Sequence, residues 1–465
     1  METGKHGLKR ELRLWDLVPM QIVVIVWLGW TGFAAKQGST QVVLWLLAIA
    51  LFYLPLAAIV MKLSRSLPVE GGAYQWVKAG ISPFAGYMAG WNYTLYTVAI
   101  FAVAGSFFAN GLAYSFPGSK WMFTSRLFAL GLTATACFLA YVLNVRGLHL
   151  TKWWSDAGAL LTVATFLALV SLLIRAWLLK LPSARFSFSL ALPSFSILTL
   201  NVFTKMAISA LSGFEGSAIF AEECRKPEND VARSVLIAAP LIAVVYMLGT
   251  SSTLAYIDPA KVDLAASVPQ VMDAGLGATA LGRVLALVMS CAFNLSYFVS
   301  MLVYVGMAAR LPMVAGWDGL LPGWWSELHP TLKTPSKAIG AVTISMILLG
   351  TLSLVGAGNQ EAVQVSVGAG YGSYCIMYML LFSVVLLGFR SGAIRTGFGL
   401  KFAALAAFLV ALCGLVFEIV PLGEVASPAL FAMKVGGVIL ATNALGAYLY
   451  WRGTRRVLNL AADAQ

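Results

Sequence analysis

The sequence predicts an all-α integral membrane protein with about twelve transmembrane helices. Hydrophobic residues make up 60% of the chain and charged residues only 11%, and the mean hydropathy is +0.84. Apolar stretches of span length also recur from one end of the sequence to the other. A soluble domain cannot bury so large an apolar fraction, because its surface grows steeply with its mass. A bilayer removes this difficulty, since about 20 largely uncharged residues suffice for each span.

The predicted spans follow one another with little chain between them. Several are longer than one bilayer thickness, so tilt is expected. No loop is long enough to form a separate soluble catalytic domain. The spans have the approximate limits 17–35, 40–61, 83–113, 127–145, 156–178, 198–221, 234–256, 280–309, 338–357, 361–388, 398–420 and 428–451.

The net charge of +12 follows the predicted topology. When the spans alternate, most of the 31 Lys and Arg residues fall on the side of the amino terminus, from Lys5 and Arg13 to Arg452 and Arg456. This is the bias that the positive-inside rule describes. We therefore expect an uncleaved first helix, both termini in the cytoplasm, a multi-pass protein of the plasma membrane, the lipid bilayer as a partner and no nucleic-acid partner.

Cysteine and histidine give no metal or disulfide signal. The odd number of widely spaced cysteines predicts no disulfide framework, and the few histidines fall in loops or at span ends. We therefore expect no metal, haem or other cofactor. These residues are Cys137, Cys224, Cys291, Cys375 and Cys413, together with His6, His149 and His329.

Two spans contain a glycine pair near their middle. Gly29 and Gly32 lie in span one, and Gly213 and Gly216 lie in span six. These spans occupy matching places in two five-span halves, and because five is odd the second half enters the membrane from the opposite side. Glycines in membrane helices commonly serve close packing, but matched pairs, with Glu215 inside one of them, indicate broken helices around a transport site.

The predicted organisation follows from this symmetry. A cytoplasmic segment, 1–16, precedes the first inverted repeat, 17–178, and the second repeat covers 198–388. Two further helices lie within 398–451, and a cytoplasmic tail covers 452–465.

A broken helix suits a small dipolar solute. The break leaves backbone N–H groups that attract a carboxylate and carbonyl groups that attract a cation. An amino acid zwitterion satisfies both, although the same geometry also holds organic cations or ions.

Short motifs at defined places in the span pattern resemble those of the amino acid–polyamine–organocation (APC) transporter superfamily. Each is weak alone, and their order along the chain makes the resemblance specific. They are Leu8–Leu12 with Leu14–Leu17, Leu67–Tyr74, Leu143–Gly147, Ser212–Glu215 followed by Ala221–Glu223 and Lys226–Pro227, and Asp318–Pro322 with Thr334–Pro335.

The resemblance implies two five-helix inverted repeats with broken helices one and six, followed by two carboxy-terminal helices. It also implies alternating access, in which helices one and six move against a scaffold. The implied substrate contacts are the backbone at Gly29, Trp30, Thr31, Gly32, Ser212, Gly213 and Phe214.

Glu215 is the leading candidate for a functional side chain. A charge deep in a span costs about 2.5–3.5 kcal/mol, so it needs a partner or a function. One hypothesis is that it binds the substrate ammonium or takes up a proton during the cycle. The other is that it only binds the amides of the break and holds them open.

Aromatic residues supply candidate gates. The resemblance places gating aromatics at Tyr93, Tyr371 and Tyr374, for which ordinary packing is the alternative interpretation. Trp30 is expected to line the pocket, because an aromatic side chain beside unwound backbone has little else to pack on.

The remaining polar residues bear on the substrate. Several relatives carry a large aromatic residue where this chain has Ser209, which disfavours a long guanidinium or polyamine side chain. Lys205 would repel polycations if it faced the vestibule, but its place near the span start favours extension to the outer surface. Glu361 and Glu418 lie near span ends, which is a sufficient explanation for their charge. The coupling ion stays open: residues 159–165 hold no lysine, and Ser290, Ser296 and Ser300 are not adjacent. Ion-free exchange, sodium, or protons through Glu215 are the alternatives.

The function expected from these features is secondary active transport, by a permease or antiporter, of an amino acid or related amine. The alternatives are a polyamine or organic-cation exchanger of the same fold and, less consistent with the absence of a pore motif, a channel. An enzyme is disfavoured because no span holds paired acids or a nucleophile–base pair, and no GxxxxGK[ST] loop exists for a nucleotide-driven pump. Substrate identity and oligomeric state are not determined by the sequence.

Overall fold

A computed structural model describes residues 8–463 apart from 117–118, 120, 182, 184–189, 265, 354–358, 389–395, 422–424 and 426. Several predictions fall outside these residues. They concern most of the amino-terminal segment, with Lys5 and His6, the end of the ninth span, and the basic residues Lys120, Arg185, Arg390 and Arg395.

The regular secondary structure of the described chain is helical. In chain order the α-helices are α1 (Leu14–Ile25), α2 (Trp30–Ala35), α3 (Gln41–Ala48), α4 (Leu54–Ser66), α5 (Ala73–Gly80), α6 (Pro83–Ala102), α7 (Ala104–Ser115), α8 (Trp121–Thr124), α9 (Arg126–Val145), α10 (Leu148–Leu178), α11 (Ile197–Thr204), α12 (Gly216–Ile219), α13 (Pro227–Tyr256), α14 (Ser267–Leu276), α15 (Ala280–Trp317), α16 (Ser336–Ser353), α17 (Asn359–Leu387), α18 (Phe398–Glu418) and α19 (Pro428–Asp463). Ile49–Tyr53 and Lys205–Ala210 are π-helical, and short 3₁₀ turns lie at Gly38–Thr40, Ala221–Glu223, Pro259–Lys261 and Gly323–Trp325.

The apolar helices agree with the predicted all-α membrane protein. Within the described residues, 10 helical stretches are long and apolar enough to cross a membrane, and they coincide with predicted spans two to five and seven to twelve. The helices at predicted spans one and six are shorter, Leu14–Ile25 and Ile197–Ala210. The equivalence of the two halves and the predicted segment boundaries stay predictions.

Helix ends follow local sequence signals. The Ser82 hydroxyl accepts the amide of Ala85 at the start of α6, where Pro83 is the first helical residue. Thr279 caps α15 in the same way through the amide of Gly282. These side chains satisfy amides that a helix start leaves without a partner.

The turn between α9 and α10 explains one of the sequence motifs. Gly147 has a φ of +109°, a conformation that favours glycine. The Asn144 amide donates to the carbonyl of Leu302 at 2.9 Å, and the Thr334 hydroxyl donates to the carbonyl of Val145 at 2.9 Å. The motif residues therefore fasten this turn to α15 and to the loop before α16.

The helices pack so that the short first helix is enclosed. Helix α1 lies against α13, α10 and α15, while α17 lies between α6 and α18. Much of α1 is buried, including Gln21, whose amide donates to the hydroxyls of Ser217 and Ser234. Helix α1 is thus held by polar as well as apolar contacts, to α12 in the sixth predicted span and to α13.

Candidate functional site

The first predicted break is present in the structure. Helix α1 ends at Ile25 and α2 begins at Trp30, so residues 26–29 are not α-helical. The Tyr246 hydroxyl donates to the carbonyl of Ile25 at 2.7 Å and accepts the amide of Trp27 at 3.1 Å. The Tyr304 hydroxyl lies 3.3 Å from the carbonyl oxygen of Val24. Each of these carbonyls has a second lone pair and remains able to accept a cation.

The second predicted break lies between the π-helical stretch and α12. Residues 211–215 separate Ala210 from Gly216, and Gly213 has a φ of +121°, in the region that only glycine adopts without strain. The amide of Gly213 donates to the Tyr378 hydroxyl at 3.1 Å. One exposed backbone donor of the break is therefore satisfied by a side chain from α17.

The two breaks contact each other. A Cβ atom placed on Gly213 would lie 3.0 Å from side-chain carbons of both Val24 and Ile25. Glycine is thus required here by its conformation and by the close approach of α1.

A cavity of about 950 Å³ reaches the first break and lies beside the helix that leads into the second. Its wall includes Val24 and Ile25 at the end of α1, Trp30 of α2 and Ser209 of the π-helical stretch. It extends to the ends of α7 and α18 that lie away from the amino-terminal segment, and to the segment between α13 and α14, where Asp263 belongs to its lining. The first break is therefore reached from the side of the molecule opposite the amino-terminal segment.

Tyrosines separate Glu215 from this cavity. Tyr96, Tyr304 and Tyr371 line it, and the ring of Tyr96 stacks on that of Tyr374 with centroids 3.9 Å apart. Behind them the Tyr374 hydroxyl donates to Glu215 at 2.5 Å. Glu215 is completely buried and is not among the described residues that line the cavity.

Glu215 is also linked to its own break. The Tyr378 hydroxyl lies 2.9 Å from both carboxylate oxygens and accepts the amide of Gly213. The carboxylate, this hydroxyl and the break amide thus form one hydrogen-bonded chain. The two roles predicted for Glu215, holding the break open and taking part in binding or proton uptake, stay predictions.

On the other side of the membrane the amino-terminal segment closes the molecule. The amides of Glu11 and Leu12 donate to the carbonyl of Glu223 at 2.9 and 3.0 Å, and the amide of Arg225 donates to the carbonyl of Leu12 at 2.9 Å. Through these hydrogen bonds Leu12 and Cys224 form an isolated parallel β-bridge. The segment therefore covers the end of the second broken span.

A buried charge cluster lies beside this bridge. Arg310 of α15 forms an ion pair with both carboxylate oxygens of Glu223, and its Nε lies 3.7 Å from Glu70. All three side chains are at least 95% buried. Burial raises the pKa of Glu70 well above its ordinary value, and the charge of Glu223 adds to the shift.

A comparison with known families decides the class of the protein. The family model described as "Amino acid permease" matches residues 12–440. The chain belongs to the amino acid permease family of the APC superfamily. It is accordingly a multi-pass membrane protein that belongs to a family of transporters and not of enzymes.

Relatives of the permease carry names with different substrates. It is 26% identical over 391 residues to cationic amino acid transporter 6, chloroplastic, of Arabidopsis thaliana, covering 81% of this chain and 66% of the relative. It is 25% identical over 380 residues to a branched-chain amino acid permease of Bacillus subtilis, covering 75% and 76%. A probable agmatine/putrescine antiporter of Lactococcus lactis is 23% identical over 251 residues, covering 53% and 51%. The chain spans about half the length of some curated relatives it matches, including this antiporter.

The site residues predicted for the permease divide into two groups. Trp30 and Tyr371 line the cavity and meet edge to face, with centroids 5.5 Å apart. The others lie behind this surface: Gly29, Thr31, Gly32, Tyr93, Ser212, Gly213, Phe214, Glu215 and Tyr374.

Individual contacts show what the second group does in this conformation. The Thr31 hydroxyl donates to the carbonyl of Leu28 at 2.7 Å, and Gly32 has Ser267 against it. Phe214 packs on Tyr53 with centroids 5.0 Å apart. These residues support the breaks from the side away from the cavity.

The structure corrects the interpretation of three charged residues of the permease. Lys205 does not extend to the outer surface: its ammonium binds Glu418 at 2.9 Å, and both side chains are buried in the cavity wall. Glu361 also has a partner, Lys434, at 2.6 Å. A span-end position alone is therefore a poor indication that an acid is solvated, because a helix from elsewhere in the chain can cover it.

Several residues at the site were missed in the sequence. Tyr378 lies four residues, about one helical turn, after the predicted Tyr374, and Tyr96 lies three residues after Tyr93, so helical spacing could have identified both. Tyr246 and Tyr304 carry no such signal. Arg310 directly follows the eighth predicted span, so its charge could have been noticed, but its partners lie far away in the sequence.

Proposed function

We propose that the permease is a secondary transporter that moves an amino acid or a related amine across the membrane by alternating access. The observation that carries the proposal is the asymmetry of the molecule. A cavity leads from one side to the first break, while the amino-terminal segment and the Arg310 cluster close the other side.

The cavity has polar atoms that a dipolar solute would satisfy. Among the described residues Trp27 Nε1, Ser209 Oγ and Tyr297 Oη are buried without a hydrogen-bond partner, and all three residues line the cavity. Buried polar atoms without partners are costly. Carbonyl oxygens at the end of α1 supply acceptors for an ammonium group. These donors and acceptors together suit a ligand that has an ammonium group at one end and hydrogen-bond acceptors at the other.

The orientation is part of the proposal. Basic residues concentrate on the side of the amino terminus, so this closed side would face the cytoplasm and the cavity would face outward, in the plasma membrane. The state described here would then be the outward-facing one of the cycle.

A polyamine or organic-cation exchanger is the second candidate. Asp263 and Asp273 line the outer part of the cavity and favour a cation. Lys205 lies deeper in the same wall and disfavours a second positive charge near the breaks. The balance therefore favours a solute with one ammonium group.

Counterflow in proteoliposomes tests the proposal. Purified protein is reconstituted in vesicles loaded in turn with each of a panel of unlabelled amino acids and amines. The same compound in labelled form is added outside, and its accumulation inside the vesicles is followed. We expect saturable, transient accumulation for at least one amino acid, and inhibition by its close analogues. Protein-free vesicles and a Gly213→Val variant serve as controls.

Two results would contradict the proposal. Flux that rises linearly with concentration and shows no counterflow would indicate a channel. Counterflow restricted to diamines and polyamines would select the exchanger instead.

A further inference from the structure

The Lys205–Glu418 pair is a charged element in the wall of an otherwise mainly apolar cavity. The ammonium and the carboxylate are 2.9 Å apart, and the two residues are only 7% and 3% exposed. Burying each ion costs several kcal/mol before their attraction is counted, and an apolar pair of similar volume is often more stable. Stability therefore gives no sufficient reason for the pair.

The pair retains hydrogen-bonding capacity toward the cavity. A lysine ammonium has three donors, and in the described structure Glu418 is the acceptor found for it. One turn further along the same helical stretch, the buried hydroxyl of Ser209 has no partner and also lines the cavity. Lys205 and Ser209 in this wall therefore have hydrogen-bond donors without an acceptor.

The charge of the pair selects among acceptors. Lys205 is already neutralised by Glu418, so a substrate carboxylate would meet a second negative charge beside it. A cationic side chain would meet the ammonium. A neutral carboxamide brings an oxygen for Lys205 and Ser209 and an N–H group for Glu418.

The pair and the first break share one cavity. Its wall includes Lys205 and Glu418 as well as Val24 and Ile25 at the end of α1. A solute bound at the first break therefore lies in the same space as the pair.

We propose that Lys205 and Glu418 form the side-chain subsite of the permease and select amino acids that end in a carboxamide. Lys205 and Ser209 donate to its carbonyl oxygen, and Glu418 accepts from its amide nitrogen. This inference rests on the proposed transport of amino acids, and it makes Lys205 and Glu418 specificity-determining residues.

Charge-switch variants test this subsite. Competition against the transported amino acid is measured for glutamine, glutamate, lysine and leucine. Glu418→Gln leaves the positive charge of Lys205 without a counter-charge. It should raise the preference for glutamate over glutamine at least about tenfold, which corresponds to the free energy of one hydrogen bond to a charged group. Lys205→Met should shift the preference toward lysine by a similar factor. The double variant Lys205→Met/Glu418→Met should favour leucine.

A matched control uses the other lysine–glutamate pair near this side. Lys434 and Glu361 are 2.6 Å apart, are more exposed, and do not line the cavity. Lys434→Met and Glu361→Gln should leave all substrate ratios unchanged.

The outcomes separate the inference from the proposed function. If the pair only joins the π-helical stretch to α18, every variant loses transport of all substrates by the same factor, and the subsite is overturned. Glu418→Gln keeps the size of the side chain, so it decides the matter even if the methionine variants do not fold. A wild-type protein that transports no amino acid overturns the proposed function itself.

Discussion

At the scale of single residues, the burial of Glu215 changes the role that this residue is expected to have in transport. Its carboxylate is completely buried, binds the hydroxyls of Tyr374 and Tyr378, and connects through Tyr378 to the amide of Gly213. A carboxylate in this position orients the groups around the break. The tyrosine rings between it and the cavity keep a bound solute away from it in this conformation.

Glu215→Gln should therefore affect turnover more than binding. The amide keeps one acceptor oxygen but loses the charge that strengthens both tyrosine hydrogen bonds, worth about 1.5–3 kcal/mol each. We expect maximal counterflow to fall about tenfold or more and the half-saturating concentration to change less than about threefold. Both are measured in the same proteoliposomes.

Tyr378→Phe is the control for this mechanism, because it removes the hydroxyl that joins Glu215 to Gly213. It should reproduce the loss of turnover. A Glu215→Gln variant with weakened binding and normal turnover would instead support direct contact with the substrate ammonium. Flattened pH dependence in Glu215→Gln would support proton uptake by this residue.

At the scale of secondary-structure elements, the two breaks depend on how closely α1 approaches residues 211–215. Gly213 combines a positive φ with side-chain carbons of Val24 and Ile25 at 3.0 Å from the position of a Cβ. Local strain at such a position costs about 1–3 kcal/mol. The geometry of both breaks thus depends on one residue without a side chain.

Gly213→Ala should lower both transport and thermal stability. The added methyl group has to displace α1 or the second break, so we expect transport to fall at least about tenfold and the melting temperature to drop by a few degrees. The matched control is Gly131→Ala in α9, where a Cβ meets no atom within 4 Å. A Gly213→Ala variant as active and stable as Gly131→Ala would contradict this account.

At the scale of the whole molecule, a network of buried charges closes one side while the other stays open. Glu223 is central to the closed side, since its side chain pairs with Arg310 and its carbonyl holds the amides of Glu11 and Leu12. In the proposed transport cycle these contacts have to separate for the cavity to open to this side. Their strength therefore sets part of the equilibrium between the two states.

Glu223→Gln should shift this equilibrium toward opening on the side of the amino terminus. Loss of the charge leaves the backbone bridge intact but weakens the ion pair with Arg310, and about 1.4 kcal/mol changes the population of the minor state tenfold. Ser300, which lines the cavity, is changed to cysteine in a background with Cys291→Ser and Cys413→Ser. Its labelling by an impermeant thiol reagent from the side of the amino terminus should rise about tenfold.

Glu327→Gln provides the control, because Glu327 pairs with Lys337 on the surface and both are about half exposed. Exposed pairs contribute little, so labelling should not change. Equal labelling in Glu223→Gln and wild type would mean that the Arg310 cluster does not control access.

The sequence by itself determined the features that depend on local composition. Hydropathy identified the apolar helices, because insertion in a bilayer depends on each stretch of about 20 residues separately. Glycine pairs located both breaks, since backbone conformation is a local property. Motif order along the chain indicated the family.

Only the tertiary structure decided which side chains meet. Lys205 and Glu418 are 213 residues apart in the sequence, and nothing local to either residue indicates the other as its partner. Arg310 and Glu223 meet because α15 packs beside the second broken span, and Glu215 turns away from the cavity because α17 brings Tyr374 and Tyr378 to it. A charged residue within an apolar stretch indicates that a partner is needed. The choice of partner depends on helix packing, which composition and spacing do not determine.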